Sequence, residues 1–176
     1  KEGQQLRFNA MCHAIDFTGT SILDVGCGLG DFADFLLARQ ISFSSFHGID
    51  AMELMITEAE QKSLPRCSFS IGNVLKQSDL LRGFDWITMS GTLNAMPQSV
   101  AMELVSNAFE ASTTGIAYNF LSNQCKPNLN EDLKPASRFE TQEMLQQAFQ
   151  LTRNVTFDQS YLDGHDATII LKKVQE

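Results

Sequence analysis

Three glycines stand at alternate positions in the stretch ILDVGCGLGDF, which spans residues 22–32. Because glycine has no Cβ atom, Gly26, Gly28 and Gly30 would let a ligand lie directly against the backbone. A glycine-rich turn between a strand and a helix is typical of sites that bind nucleotides and related cofactors. The alternative is that these glycines only form tight turns that pack a helix onto a sheet. The charged neighbours of the glycines bear on this choice.

Carboxylates around the loop indicate which ligand it would accept. A dinucleotide fingerprint, G-x-G-x-x-G, needs a third small residue at the place where counting from Gly26 gives Asp31. Asp24, Asp31 and Asp34 would also surround a pyrophosphate with negative charge, whereas they would attract an ammonium or sulfonium group. The sequence therefore favours a cationic, phosphate-free nucleoside over a nicotinamide dinucleotide.

Asp50 is a second candidate binding residue, at the end of the next predicted strand. In nucleoside-binding sheets an acidic side chain at this place accepts hydrogen bonds from the ribose hydroxyls. An aspartate before a helix also commonly acts as its N-cap, and both functions are compatible. Asp50 is therefore predicted to bind ribose, with capping as the alternative.

Strands and helices alternate along the chain. Buried strands are predicted at 21–25, 45–50, 67–72, 84–90 and 114–122, and two more at 154–162 and 166–173. Helices are predicted within 2–17, from Asp31, at 51–62, from Pro97 and near 141–149. The last two strands meet at Asp163-Gly164, a hairpin signal. This alternation predicts an α/β fold, with helices on both faces of a mostly parallel seven-stranded sheet and a C-terminal antiparallel hairpin.

Four stretches resemble, in order, the motifs of one enzyme family. ILDVGCGLG is similar to the first motif of class I S-adenosylmethionine-dependent methyltransferases, HGID to the second, SIGNV to the third and FDWITMSGTLN to the fourth. With the closing hairpin, the similarity covers nearly the whole chain. FDWITMSGTLN and YNFLS also resemble small bacterial members of the family. The resemblance implies a Rossmann-like three-layer sandwich, a single domain over residues 1–176, and S-adenosyl-L-methionine as the cofactor.

The resemblance also implies a set of cofactor-binding residues, namely Asp24, Gly26, Cys27, Gly28, Gly30, Asp50, Ala51, Met52, Asn73, Val74, Ser90, Gly91 and Asn94. In this interpretation the glycine backbone holds the methionine part, Asp24 directs its ammonium group and Asp50 binds the ribose. Met52 and Val74 would contact the adenine. Asn73 stands where many members carry Asp, and its amide oxygen offers the same acceptor. The alternatives are that Met52 is plain core and that Ser90-Gly91 is only a turn.

Methyl transfer from a sulfonium is an in-line displacement, so the protein mainly aligns the reactants and excludes water. No acid–base pair stands at a fixed spacing, so the sequence does not identify a catalytic residue, and a carboxylate is one candidate base. His13 and His165 are the histidines that could act as a base, and Asn119 is a further candidate to line the cleft. One rival function is a non-catalytic cofactor-binding regulatory protein. Another, a nicotinamide-dependent oxidoreductase, is disfavoured by Asp31.

The amino-acid composition indicates which classes of ligand and partner the protein can bind. The formal charge of -8 and the pI near 4.8 oppose nucleic-acid binding, which favours a small-molecule acceptor. Four scattered cysteines indicate neither a disulfide framework nor a metal site. No long apolar run and no signal-peptide pattern occur, so we expect a cytoplasmic protein without a membrane span. The oligomeric state stays open.

Two segments are candidates to cover the site. The predicted helix within 2–17 could lie across its mouth, and the polar loop at 122–139 follows the fifth strand. Long irregular loops in compact domains are often lids or binding loops. We therefore expect both segments to enclose the acceptor.

Overall fold

The structure, a computed structural model, describes residues 2–126 and 136–174. Its helices are α1 (Glu2–Ala14), α2 (Asp31–Ala38), α3 (Glu53–Gln61), α4 (Gln98–Ala111) and α5 (Thr141–Leu151). Its strands are β1 (Ser21–Val25), β2 (Ser45–Asp50), β3 (Cys67–Ile71), β4 (Trp86–Met89), β5 (Gly115–Leu121), β6 (Asn154–Asp158) and β7 (Asp166–Lys172). Each predicted helix and strand is present, with ends that differ from the prediction by a few residues.

In the part of the chain that the structure describes, the strands form one seven-stranded sheet in the order β3-β2-β1-β4-β5-β7-β6. β1 to β5 are parallel, and β7 is antiparallel to both β5 and β6. The predicted mostly parallel sheet with a closing antiparallel hairpin is therefore confirmed. The strand order reverses direction between β1 and β4, and such a switch point leaves a crevice at the carboxyl ends of the strands.

Helices cover both faces of the sheet, because successive side chains of a strand point to opposite sides. In β1, Leu23 packs in the core beneath α4 and α5, whereas Ile22 packs in the core beneath α1, α2 and α3. α4 follows Pro97 directly and buries Ala101, Leu104, Val105, Ala108 and Phe109, which recur at helical spacing along one face. The predicted three-layer arrangement is confirmed.

The helix α1 is a core element along much of its length. Met11 is fully buried and Phe8 is 4% exposed, with its ring 4.9 Å from that of Phe32 in α2. Only its first turns reach the carboxyl edge of the sheet, where a Cβ on Gly3 would lie 3.4 Å from Leu162. α1 is therefore fixed against the sheet, and it differs in this respect from a helix that simply lies across a cleft.

The connection between β6 and β7 is longer than a two-residue hairpin. β6 ends at Asp158, and Leu162–Gly164 form a short 3-10 helix before β7 begins. Asp163 and Gly164 have φ angles of 54° and 77°, so the predicted turn residues do adopt the left-handed conformation. The turn therefore lies at Asp163-Gly164, as predicted, but the connection between the two strands also includes residues on both sides of it.

Candidate functional site

A cleft of about 400 Å³ lies at the carboxyl ends of β1 to β4. We call it the main cleft. Of the predicted cofactor-binding residues, those that line it are Gly26, Asp50, Ala51, Met52, Asn73, Val74 and Gly91. Those that do not line it are Asp24, Cys27, Gly28, Gly30, Ser90 and Asn94. The first group comes from four separate motifs, so the fold brings residues far apart in sequence to one cleft.

The three glycines of the loop meet different requirements. Each has a positive φ, at 70° for Gly26, 52° for Gly28 and 72° for Gly30. A Cβ on Gly26 would lie 2.2 Å from Thr92 Oγ1, and one on Gly30 would lie 2.8 Å from the ring of Phe69. A Cβ on Gly28 would meet nothing within 4 Å. Gly26 and Gly30 therefore serve close packing, whereas the open side of Gly28 is available to a ligand.

Asp50 connects the glycine loop to the start of α3. Its Oδ2 accepts a hydrogen bond from the Gly28 amide at 3.0 Å, and its Oδ1 accepts one from the Met52 amide at 2.9 Å. The N-cap of α3 is Met52, so Asp50 precedes the cap and the alternative capping function is not seen. A carboxylate oxygen can accept more than one hydrogen bond, so Asp50 at the cleft wall can still accept hydrogen bonds from a ligand.

Asp24 lies beneath the cleft, 3% exposed, and does not line it. Its Oδ1 accepts a hydrogen bond from Thr88 Oγ1 at 2.7 Å. Burial raises the pKa of Asp24 to about 7, although the hydrogen bond from Thr88 lowers it; the charge of Asp50 raises it further. Asp24 is therefore a carboxyl group whose charge near neutral pH depends on its surroundings.

Asp31 and Asp34 do not surround the main cleft, and this corrects part of the sequence argument. Lys62 Nζ lies 3.0 Å from Asp31 Oδ1 and 2.5 Å from Asp34 Oδ2. Both carboxylates line a separate depression beside Phe8 on the α1–α2 surface. Lys62 offsets part of their charge, and both lie outside the main cleft, so the preference for a cationic ligand rests on Asp24 and Asp50.

Apolar side chains form the outer rim of the main cleft. Met52 is 55% exposed and Leu75 is 50% exposed, while Val74 between them in the cleft is buried. Asn73 Oδ1 accepts a hydrogen bond from the Leu75 amide at 3.0 Å, which fixes this turn. Met52 is thus not a core residue. Sequence reasoning missed Leu75, although an apolar residue directly after the third motif was a usable signal.

The turn after β4 is held by two side chains from neighbouring strands and loops. Asn119, 1% exposed, accepts a hydrogen bond from the Gly91 amide at 2.9 Å and donates one to Ser90 Oγ at 3.1 Å. Thr92 Oγ1 donates to the Val25 carbonyl at 2.9 Å. Asn119 therefore acts on the cleft through the Ser90-Gly91 turn. Sequence reasoning missed Thr92, which both lines the cleft and packs on Gly26.

A second pocket, of about 230 Å³, adjoins the main cleft, and we call it the side pocket. Its lining residues are Arg7, Gly91, Asn94, Ala95, Leu121, Ala136 and Asp166, of which Gly91 and Ala95 also line the main cleft. Asn94 Oδ1 accepts from the Leu121 amide at 2.8 Å, and its Nδ2 donates to the Ser137 carbonyl at 2.5 Å. Asn94 is therefore placed in the wall of the side pocket and not in the main cleft.

The histidines occupy different places. His165 Nδ1 lies 3.0 Å from Asp166 Oδ2, next to the side pocket but outside its lining. His13 lies beside Phe17 and Ile41, which precede β1 and β2, and so it sits toward the opposite edge of the sheet. His47 contacts the hydroxyls of Ser68 and Ser70, and burial lowers its pKa. Of the two suggested bases, only His165 is near the site.

The predicted covering loop is described only at its two ends. The Asn123 amide donates to the Phe139 carbonyl at 3.1 Å, and the Arg138 side chain donates to the Ser122 carbonyl at 2.9 Å. These contacts hold the two ends of the loop together beside the side pocket. Residues 127–135 lie outside the described residues, so the prediction of a lid stays a prediction.

Among residues 2–126 and 136–174, no group of three or more histidine, cysteine or acidic side chains could hold a metal ion. No helix in the same residues is long and apolar enough to cross a membrane.

Comparisons with known proteins connect this geometry to a family. The sequence pattern of the family described as "Methyltransferase domain" matches residues 22–115, which is more than half of the chain. A comparison with curated proteins finds no match.

Several solved structures share the fold. A magnesium protoporphyrin IX methyltransferase from Synechocystis PCC 6803, with SAH bound, is 14% identical with a TM-score of 0.76, covering 98% of this chain and 84% of that chain. A SAM-dependent methyltransferase from Archaeoglobus fulgidus is 17% identical with a TM-score of 0.73, covering 97% and 94%. A small RNA methyltransferase is 17% identical with a TM-score of 0.80, covering 99% of this chain and 25% of that one. Given the family match over residues 22–115, this chain belongs to the methyltransferase domain family, as an enzyme with the Rossmann-like fold of S-adenosylmethionine-dependent methyltransferases.

Proposed function

We propose that this protein transfers a methyl group from S-adenosylmethionine to a small-molecule acceptor bound in the side pocket. The observation that carries the proposal is the shared wall formed by Gly91 and Ala95, where the main cleft meets the side pocket. A methyl donor in one space and an acceptor in the other would meet at this wall. Direct transfer requires such a meeting point, because the reacting atoms must be in contact and in line.

The residues of the main cleft suit the cofactor. Gly26 lines the cleft, and the open side of Gly28, just outside the lining, would be free for the methionine part. Asp50 would accept hydrogen bonds from the ribose. Met52, Val74 and Leu75 offer apolar surface to the adenine, and Asn73 a polar group beside it. Once bound, S-adenosylmethionine supplies both the methyl group and a neutral leaving group.

Asp24 would act on the ammonium group from below. Its Oδ1 accepts a hydrogen bond from Thr88 Oγ1, and Oδ2 would be the oxygen that faces the ammonium group. A nearby positive charge favours the ionised form of a carboxyl group and so opposes the effect of burial. Cofactor binding should therefore lower the pKa of Asp24 from about 7.

The chain's contribution to catalysis would be alignment and exclusion of water. Asn119 fixes the amide of Gly91, so the wall between the two spaces has a defined position. Leu121, Ala95 and Ala136 give the side pocket small apolar surfaces. An enclosed apolar site strengthens charge interactions and keeps the donor from hydrolysis. An acceptor that loses a proton on methylation would give it to solvent or to a nearby group such as His165.

A small acceptor is favoured over a nucleic acid. Structural relatives include one named for a porphyrin and one named for small RNA, so the shared fold does not select the acceptor. The charge of -8 opposes a phosphate backbone, and a side pocket of about 230 Å³ suits a compact molecule. Gel-shift titration with tRNA at low salt should show only weak association. Micromolar binding with a steep salt dependence would contradict this part of the proposal.

Calorimetry tests the cofactor. S-adenosylmethionine and its demethylated product should both bind, and NAD should bind much more weakly. Asp50→Ala should weaken binding by about 1–3 kcal/mol because the hydroxyls it meets lose their acceptor. Asp79→Ala is the matched control, since Asp79 is 94% exposed and pairs only with Arg82 on the surface among the described residues. Tight NAD binding without a response to either sulfur nucleoside would overturn the assignment.

Transfer of a labelled methyl group to a panel of metabolites separates an enzyme from a regulatory binder. The proposed enzyme should label at least one small molecule, and the label should be lost when Asp50 is replaced. A protein that binds the cofactor tightly but labels no small molecule in a broad panel would favour the non-catalytic alternative.

A further inference from the structure

Arg7 brings a guanidinium group from α1 into the side pocket. Its side chain is 22% exposed, and its Nε is buried without a hydrogen-bond partner among the residues that the structure describes. The carboxylate of Asp166 lies 3.7 Å from a guanidinium nitrogen, which is an ion pair but too long for a hydrogen bond. Among the residues that the structure describes, the Arg7 guanidinium therefore has an ion-pair partner in Asp166 but no hydrogen bond to its buried Nε.

Asp166 forms an ion pair with Arg7 and is itself held in the sheet. The Asp166 side chain is 4% exposed and begins β7, where it is paired with Leu121 of β5, so its position is fixed by the sheet. One of its oxygens faces Arg7 and the other lies 3.0 Å from His165 Nδ1. Nearby, the Tyr161 hydroxyl contacts Thr168 Oγ1 at 2.5 Å, and burial raises the pKa of Tyr161. Arg7 thus faces the Asp166 carboxylate, which also contacts His165.

The rest of the side pocket offers a ligand little polarity. Leu121, Ala95 and Ala136 are apolar, and both polar atoms of Asn94 are already bonded to backbone groups. A ligand here would combine a compact apolar body with one oxygen-rich group that meets Arg7.

The guanidinium also lies beside the wall that the side pocket shares with the main cleft. A Cβ on Gly91 would be 3.6 Å from Arg7 Nη2, so the two groups are neighbours. A ligand anchored on Arg7 is thereby held at the meeting point with the methyl donor.

We propose that the methyl acceptor is a small organic acid whose carboxylate binds to Arg7, an inference that rests on the proposed function of the side pocket as the acceptor site. A planar carboxylate matches the guanidinium with two parallel hydrogen bonds. The nearby Asp166 would repel the second charge of a phosphate, so a monoanion is favoured over a dianion. The acidic composition of the chain does not exclude this ligand, because Arg7 places a guanidinium in the pocket beside its partner Asp166.

The test uses benzoate as the probe, with benzamide as its neutral counterpart and phenyl phosphate as the dianion. Each is titrated by NMR into the full chain saturated with S-adenosylhomocysteine. Benzoate should shift the amide signal of Gly91 and bind roughly tenfold more tightly than either other probe. Arg7→Met should reduce benzoate affinity to that of benzamide and leave benzamide affinity unchanged.

Arg39→Met is the matched control, because Arg39 is exposed and lies over the Phe35 ring, away from the side pocket. It should leave all three affinities unchanged. Arg7→Lys keeps the charge but not the two-pronged geometry, and it should give an intermediate benzoate affinity. The melting temperature and the S-adenosylhomocysteine affinity of each variant show whether the fold and the main cleft are intact.

Three outcomes would overturn the inference: equal binding of benzoate and benzamide, tighter binding of phenyl phosphate, or benzoate binding that survives Arg7→Met. If Arg7→Met does not fold, the comparison of probes on the unmodified chain and on Arg7→Lys decides alone. These outcomes differ from a failure of the proposed function, which would appear as absent S-adenosylhomocysteine binding before any acid is added.

Discussion

The main cleft and the side pocket share a wall but are built in different ways. The main cleft is lined by residues between Val25 and Leu104, many of them in short turns that follow parallel strands. The side pocket takes Arg7 from α1 and Asp166 from β7, which are almost the whole chain apart. The first can be recognised from local motifs, whereas the second exists only because the tertiary fold brings distant side chains together. Substitutions should therefore separate the two regions.

The largest expected effect comes from the glycine loop. Gly26→Ala should lower the free energy of unfolding by roughly 2–5 kcal/mol, because it adds left-handed strain to a clash with Thr92. Gly28→Ala meets no atom within 4 Å and should cost only about 1–2 kcal/mol of stability. It should nevertheless weaken S-adenosylhomocysteine binding. Urea unfolding and calorimetry measure the two quantities. Equal stability losses in both variants would contradict the division of tasks within the loop.

The next effect depends on pH and concerns Asp24. Its pKa in the folded protein is about 7, compared with an ordinary value of 3.8. Between these values the folded state holds a proton that the unfolded state has lost, so stability decreases as the pH rises through this window. Below this window Asp24 adds no pH dependence to the free energy of unfolding. Above it, the stability that the bound proton provided is fully lost.

Asp24→Asn keeps an acceptor for Thr88 but removes the ionisation. Urea unfolding should be measured at pH 4.5 and at pH 8. Between these values the free energy of unfolding of the unmodified chain should fall, relative to that of the variant, by on the order of a few kcal/mol. The variant should also bind S-adenosylmethionine more weakly at pH 8, where Asp24 would be ionised beside the ammonium group. An identical pH dependence in both proteins would exclude a raised pKa at Asp24.

Asn94 distinguishes the two regions directly. Asn94→Ala removes the hydrogen bonds to Leu121 and Ser137, and it should destabilise the fold by about 1–3 kcal/mol. The affinity for S-adenosylhomocysteine should remain within about twofold, because Asn94 lies outside the main cleft. Calorimetry on the folded variant provides the check. A large loss of cofactor affinity would place Asn94 with the cofactor after all.

The smallest effect is expected at Lys62. Lys62→Met leaves Asp31 and Asp34 without their shared cation, but both carboxylates are more than a third exposed. Solvent screening should keep the loss of stability below about 1 kcal/mol. Cofactor affinity should not change, since these carboxylates line a separate depression. A marked change in cofactor affinity would show that Asp31 and Asp34 do belong to the binding site.

Much of the fold could be predicted because its signals are local. Hydrophobic runs identified the strands, and the apolar face of α4 and the preceding Pro97 identified that helix. The same signals could not show where side chains point. Asp31 follows the glycine loop in sequence, yet the first turn of α2 directs its carboxylate to Lys62. The sequence therefore predicted more carboxylates around the cleft than the structure places there.

The residues of the side pocket could not have been found in this way. Arg7 stands in a polar stretch of α1 that resembles any solvated helix surface, and Asp166 stands next to a turn. Their proximity depends on β7 pairing with β5, which places Asp166 opposite Leu121. Pairing of this kind is set by tertiary contacts and not by the properties of either segment.

The position of β7 between β5 and β6 has a consequence for synthesis on the ribosome. The chain emerges from its amino end, so the parallel strands and the whole lining of the main cleft are made before residues 166–172 exist. Until then, β5 has a free edge, and its sequence GIAYNFL is almost entirely apolar and buried in the finished protein. Exposed apolar edge strands promote aggregation. The nascent chain should therefore be most dependent on chaperones in the interval between translation of β5 and translation of β7.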